Sequence, residues 1–450
     1  MEFMKGTTGK EGKEIAEMIQ LLDGKAAETE RCKEITVTTE GAVHRIRKMG
    51  ELVFVILRKR DGILQTVCDP ALPGMAGLKE EACVRVTGKL LAEERAPHGM
   101  EIRVTEVTIL SVPEEALPFP VARWKMNASL ETRLNRRALS LRNLRERAVF
   151  RIQEGIARAF RDYLHLQGFT EIHSPKIGSR GAEGGANMFR LSYFHRPAVL
   201  AQSPQFYKQI MAGVFERVME IGPVFRAEKH NTKRHLNEYT GLDFEMAYIR
   251  DFSDLMQMET GLLQYAVKLL TEEYAEELRI LEVTLPKAEE IPVVRFEEAK
   301  KLAAETYGRQ IRAPYDLEPE EEQLIGAYFK EHYNADFVFV THYPAKKRPF
   351  YAMDDPADEK YTLSFDLLCR GVEVTTGGQR IHEYTMLREK MVKRGIGEEG
   401  MEGYLEAFRC GMPPHGGLGI GLERLTMQLL GLTNVREACL FPRDVKRLEP

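Results

Sequence analysis

Between Phe225 and Glu245 the chain reads FRAEKHNTKRHLNEYTGLDFE, two strand-like runs joined by a polar, basic turn. Such a hairpin suits a nucleoside triphosphate: Arg226 can sit on the phosphate that reacts, and Arg234 or His235 can hold the far end of the phosphate chain. A basic surface hairpin has the same pattern, so context must decide. The segment QSPQFYKQI, 202–210, offers Ser203, Gln205 and Lys208, and GGQRIH, 377–382, offers Arg380. An ammonium and a guanidinium converging on one point would suit a carboxylate, although an isolated lysine is more often a solvated helix residue. In FDLLCRGVEVTTGGQRIH, 365–382, Asp366, Glu373 and Thr376 are hard oxygen ligands of the kind magnesium takes together with substrate phosphates. The same spacing fits an exposed acidic edge strand. GGLGIGLERL, 416–425, has small residues that admit close approach of a ligand to the backbone, followed by Arg424.

These segments need a scaffold to bring them together. A chain of 450 residues can bury the cores of two or three domains, and 43% hydrophobic with 29% charged residues is a globular composition. The formal charge is −4, so any RNA site must be a local basic face. The six cysteines show no C-x-x-C spacing, which argues against a zinc knuckle or a disulfide framework and fits a reducing cytoplasm. No apolar run approaches the roughly 20 residues of a membrane span, and the polar start lacks the apolar core of a secretion signal. A cytoplasmic protein with no membrane partner is the expectation.

Residues 1–30 read as a polar, solvated extension with one short amphipathic helix carrying Ile15, Met18, Ile19 and Leu22. Alternating strands with turns at Asp61-Gly62 and His98-Gly99 make 31–112 a five-stranded β-barrel of OB-fold or SH3-like type. Residues 113–142 form a hinge that opens on a proline-bearing stretch and continues into a basic run, which is either a solvated helix face or a track for a phosphate backbone. From 143 to 450 helices and strands interleave in an α+β pattern, with a mostly helical acidic insertion at about 250–335.

The 225–245 segment resembles the second signature motif of class II aminoacyl-tRNA synthetases, most closely the aspartyl enzymes of archaeal type. GFTEIHSPKI, 168–177, and GGLGIGLERL resemble the first and third signatures, in the right order. The resemblance implies an OB-fold anticodon-binding domain, a catalytic domain built on an antiparallel sheet flanked by helices, and a homodimer formed through the first motif. It implies ATP and magnesium as reaction partners. Arg226 would contact the α-phosphate, Arg234 and His235 the outer phosphates, Glu228 the adenine or the incoming tRNA end, and Tyr239 the adenine ring. Arg424 would lie against the adenine and γ-phosphate, and Asp366, Glu373 and Thr376 would hold magnesium. The α-carboxylate of an amino acid attacks the α-phosphorus, so no protein nucleophile is needed and catalysis is positioning plus charge neutralisation.

The 202–210 segment resembles the aspartyl substrate segment. Asp243 and Glu183, in a loop the family uses as a mobile lid, would bind the α-ammonium of L-aspartate. Asparagine would leave Lys208 and Arg380 without an anion, an expected penalty of about 3–5 kcal/mol. In the barrel, Phe54, Arg58 and Gln65 match the family's anticodon readers; a core phenylalanine and a surface glutamine are the plain alternatives. His44 and Pro97 stand where relaxed members carry His and Pro, which points to charging of tRNA(Asn) as well as tRNA(Asp). An asparaginyl enzyme, a barrel-less asparagine-forming relative and an inactive RNA-binding paralogue are the rivals; the barrel excludes the second. Neither DNA nor membrane is an implied partner.

Overall fold

The computed structural model describes residues 12–27, 35–182, 187–229 and 232–449. The chain divides into two compact units between Ala128 and Ser129, a division that falls inside the proline-bearing and basic stretch.

In the first unit, strands Ile35–Met49, Leu52–Lys59, Gly62–Cys68, Cys83–Ala92 and Met100–Ser111 close into a barrel. The third strand runs parallel to the fifth, and the fourth closes on the first. That order is the five-stranded Greek-key barrel of an OB-fold, which resolves the choice left open by alternation alone. The core takes Val53, Val55 and Leu57 from the second strand, so Phe54 and Arg58 lie on its outer face. Helix Ile15–Ala27 is not a solvated tail. Ile15 and Met18 are buried in the barrel core, with Ile19 and Leu22 packed against it. Asp61 accepts the otherwise orphan Ile15 N–H at 2.8 Å, so the turn that punctuates the second and third strands also caps this helix.

The second unit is built on an eight-stranded sheet in the order 293–295, 337–341, 364–369, 372–379, 415–421, 238–247, 217–225, 170–171. The six central strands are antiparallel; only the outermost pair at each edge is parallel. Helices Leu144–Leu166 and Ser253–Glu273 pack Ile152, Ile156, Phe160, Leu262 and Leu270 into a core with Phe244 and Phe365 of the sheet. Two arginines of the basic run entering this unit are committed internally, while Arg136 and Arg142 are exposed. Arg137 donates to Glu146 and to the carbonyls of Leu440 and Cys439, and Arg133 bonds Glu146 and Glu437. These two arginines tie the start of the unit to its C-terminal segment and do not present a free phosphate track.

Candidate active site

The antiparallel strands Arg217–Phe225 and Glu238–Ala247 form the predicted hairpin, in unbroken register from Arg217 opposite Met246 to Phe225 opposite Glu238. Asn237 pins its mouth: the amide donates to the carbonyls of Arg226 at 2.7 Å and Glu228 at 2.9 Å, while the Asn237 carbonyl accepts Arg226 N–H. Beyond the mouth, Thr232 Oγ1 accepts Arg234 N–H and lies 2.6 Å from His235 Nδ1, shaping the turn that carries both side chains.

A cavity of about 420 Å³ opens over this hairpin and the neighbouring strands Val372–Gln379 and His415–Gly421. Its lining brings together almost all the residues singled out in the catalytic unit. Arg226, Glu228, Arg234, His235, Tyr239 and Asp243 come from the hairpin; Glu373, Thr376, Arg380 and Arg424 come from the other two strands and the residues just beyond their C-terminal ends. Ser203, Gln205 and Lys208 come from helix Gln205–Phe215 and the turn before it. Glu183 lies outside the described residues. Asp366 does not line the cavity: it is buried behind it, accepting Arg348 Nη2 at 2.7 Å.

Alternation along the strand sets Asp243 and Glu245 on one face, and both point at the two predicted carboxylate-binding cations. Lys208 Nζ lies 2.8 Å from Asp243 Oδ1, 2.8 Å from the Leu418 carbonyl and 3.6 Å from Glu245 Oε2. Arg380 Nε donates to Glu245 Oε1 at 3.0 Å and Nη2 to the Gly417 carbonyl at 2.9 Å. The two cations therefore do converge, but on a resident anion. This corrects the expectation that asparagine would face two bare cations: Glu245, fully buried, already lies between them. Burial pushes the Asp243 carboxyl up, and Lys208 opposes that shift.

The glycines of the third motif serve these carboxylates. A Cβ at Gly417 would fall 2.1 Å from Glu245 Oε2 and one at Gly419 3.0 Å from Asp243 Oδ1. Gly417 and Gly419 thus make room for side chains of the adjacent strand, while Gly419 and Gly421 also line the cavity.

For magnesium, the donor set on the cavity wall is Glu373 with Thr376, whose hydroxyl donates to Glu373 Oε1 at 3.1 Å. One carboxylate and one hydroxyl fit an ion that keeps waters and takes substrate phosphates. Among the described residues no cluster of three or more His, Cys, Asp or Glu could hold a metal unaided. Arg424 Nη1 donates to the Glu373 carbonyl at 3.0 Å and lies 3.5 Å from its carboxylate. Asp366, burdened by burial and relieved by Arg348, is pushed up to about 6.

Sequence reading missed several groups. Arg348, in the KKRPF run, lines the cavity beside Lys347, and its guanidinium sits 4.0 Å from the centre of the Tyr343 ring. Gln202 lines it with both side-chain polar atoms buried and unpartnered. Glu322, from helix Pro319–Tyr333 of the acidic insertion, bonds Arg234 and accepts Glu373 N–H at 3.1 Å. Burial, then the Glu373 charge, pushes Glu322 up to about 7. Beside Gln209, His415 is wholly buried and held neutral, pushed down to about 4 by burial. Its Nδ1 faces the Pro413 carbonyl at 2.8 Å, which leaves Nε2 to accept from the Gln209 amide at 2.9 Å.

In the barrel, Arg58 grips Glu81 with both terminal nitrogens, at 2.6 and 2.8 Å, and lies 3.4 Å from His44 Nδ1. His44 sits at the bulge of the first strand and is buried. Gln65 donates to Glu101 at 3.0 Å, Phe54 is half-buried, and Pro97 opens the short 3-10 turn Pro97–Gly99. Arg58 is thus not a bare cation waiting for RNA.

Known proteins resemble both units. Residues 129–445 match the model of tRNA synthetases class II (D, K and N), and residues 37–110 that of the OB-fold nucleic acid binding domain. The aspartate–tRNA(Asp/Asn) ligase of Deinococcus radiodurans is 45% identical over 92% of this chain and 96% of its own length. The enzyme of that name from Thermus thermophilus is 45% identical over 91% and 96%. Asparaginyl-tRNA synthetase from Pyrococcus horikoshii, solved with asparaginyl-adenylate, superposes with a TM-score of 0.86 at 31% identity, covering 93% of this chain and 97% of that one.

Proposed function

The chain belongs to the class II tRNA synthetases of the aspartate, lysine and asparagine group, and on that premise we propose that it is an aspartate–tRNA ligase that charges both tRNA(Asp) and tRNA(Asn). The observation that carries the reading is one cavity shared by Arg226, Arg234 and Arg424 with Lys208 and Arg380. A triphosphate and a small dicarboxylic amino acid are the substrates such a cavity would draw together.

In the first step an α-carboxylate oxygen of aspartate attacks the α-phosphorus of ATP and pyrophosphate leaves. Arg226 neutralises charge on the reacting phosphate, and Arg234, His235 and Arg424 hold the outer phosphates and adenine, with Tyr239 stacked on the base. Asp243 takes the α-ammonium, in the role shared by Glu183. Ser203 and Gln205 line the amino-acid pocket, and Glu228 reads the adenine or the tRNA end. Glu373 and Thr376 would hold magnesium, which neutralises phosphate charge when bound; Asp366 holds Arg348 in place behind the cavity wall. In the second step the terminal ribose hydroxyl of tRNA takes the aminoacyl group.

The preference for aspartate rests on Lys208 and Arg380. Because Asp243 and Glu245 already share them, the discrimination comes from the added attraction of the substrate's side-chain carboxylate to Lys208 and Arg380 and not from bare charges. The wider tRNA range rests on His44 and Pro97, and relatives named for both tRNAs support it. A homodimer fits the exposed Leu166, two residues before the first motif, and Ile177, its last residue. A reducing cytoplasm fits the free thiols of Cys68, Cys83, Cys369, Cys410 and Cys439. The test is aspartylation of both purified tRNAs: charging of each is expected, and charging of tRNA(Asp) alone refutes the wider range.

A further inference from the structure

We infer that Glu322 is a positioning residue for ATP: it holds Arg234 so that the arginine's remaining N–H groups meet the outer phosphates. The inference rests on reading the cavity as the ATP site and goes beyond it, because Glu322 belongs to the helical insertion and does not line the cavity.

Three observations carry it. The first is the docking of the insertion. On helix Pro319–Tyr333, Gly326 packs so closely on the turn of the 364–379 hairpin that a Cβ there would fall 2.4 Å from Gly371 N. Gly371 itself has a φ of +74°, which favours glycine at that turn. This contact fixes the height of the helix against the strand that carries Glu373 and Thr376. The second is the clamp: one oxygen of Glu322 accepts both Arg234 Nη2 and the Glu373 N–H. A single buried carboxylate thereby ties the turn of the 225–245 hairpin to the strand of the metal-binding candidates. The third is the rest of the Arg234 guanidinium. Its Nη1 is buried without a partner while the side chain lines the cavity. A buried guanidinium N–H left unpaired is costly, and a phosphate oxygen is the acceptor the reading supplies.

The arrangement leaves Arg234 pre-oriented. A flexible arginine would lose rotamer freedom on meeting the triphosphate; one already held by Glu322 loses less. The effect belongs to the outer phosphates alone, since Arg226 lies on a different part of the hairpin.

The test is calorimetric binding of ATP and of AMP, each with magnesium, to the full chain and to E322A, E322Q, R234A and E322A/R234A. E322A should weaken ATP binding about tenfold and leave AMP within twofold, with E322Q between E322A and wild type. In the R234A background, E322A should add less than twofold. Unchanged ATP affinity in E322A, an equal loss for AMP, or an additive double variant overturns the inference. Aspartate-dependent ATP–pyrophosphate exchange on the same wild-type protein tests the ligase reading separately. Its absence would sink that reading while the ATP and AMP comparison still decides the role of Glu322.

Discussion

Glu245 and Arg380 meet at 3.0 Å inside the sheet, and neither side chain reaches solvent to any useful extent. Removing one partner of such a pair leaves the other buried and unpaired, so the contact governs both stability and the pose of Arg380. Glu245→Gln keeps the shape and removes the charge. It should lower kcat/KM for aspartate about tenfold or more and lower the unfolding midpoint by several degrees. Exchange kinetics and a thermal scan check this; wild-type aspartate kinetics in the variant contradict it.

Arg226 is the cation assigned to the reacting phosphate. Arg226→Ala should reduce aspartate-dependent exchange by about 10²–10³-fold, the loss typical of a preorganised group that meets charge developing in the transition state. The fold should persist, because Asn237 pins the hairpin mouth through the Arg226 backbone, which the substitution leaves in place. Steady-state exchange with matched circular dichroism decides it.

Glu259 supplies a pH prediction. It is wholly buried on helix Ser253–Glu273, its Oε1 accepts the Thr375 hydroxyl at 2.5 Å, and its Oε2 has no partner. Burial pushes its carboxyl up to about 8 from an ordinary 4.5. With the folded value raised, the folded state binds more protons between those values. The contribution is fully present below about 4.5 and is lost as pH rises through about 8. Glu259→Gln mimics the protonated acid. Relative to wild type, the variant should gain stability, on the order of a few kcal/mol, as pH rises from 5 to 9. A pH-independent difference in denaturant midpoints would count against it.

The barrel offers a fourth outcome. Glu81 holds Arg58, and Arg58 lies against His44, so Glu81→Gln should disturb the anticodon face without touching adenylation. The KM for tRNA should rise about threefold to tenfold while aspartate-dependent exchange stays unchanged. Equal KM values for wild type and variant would show that the Arg58 pair does not support tRNA binding.

Some of this was legible in the chain and some was not, for physical reasons. The alternation from Glu238 to Met246 and the basic turn before it give the hairpin and its arginines without any structure. Glu245 carries the same alternation as Asp243, two residues away, yet its partner Arg380 is 135 positions distant, and only the sheet pairing brings them together. The run EPEEEQ at 318–323 looks like a solvated acidic helix start. Glu321 and Glu322 are instead buried, the first on Lys300 at 2.6 Å and the second on Arg234, because the helix docks on both sides. Likewise the apolar spacing of Ile15 and Met18 gives a helix, while the barrel core that receives the two side chains exists only after folding.

The most direct measurement is ATP–pyrophosphate exchange by the wild-type protein with aspartate and with asparagine as alternative substrates. A kcat/KM for aspartate about a hundredfold or more above that for asparagine is the predicted result, since the substrate's side-chain carboxylate gains from Lys208 and Arg380 what an amide cannot. Equal use of the two, or a preference for asparagine, would contradict the account.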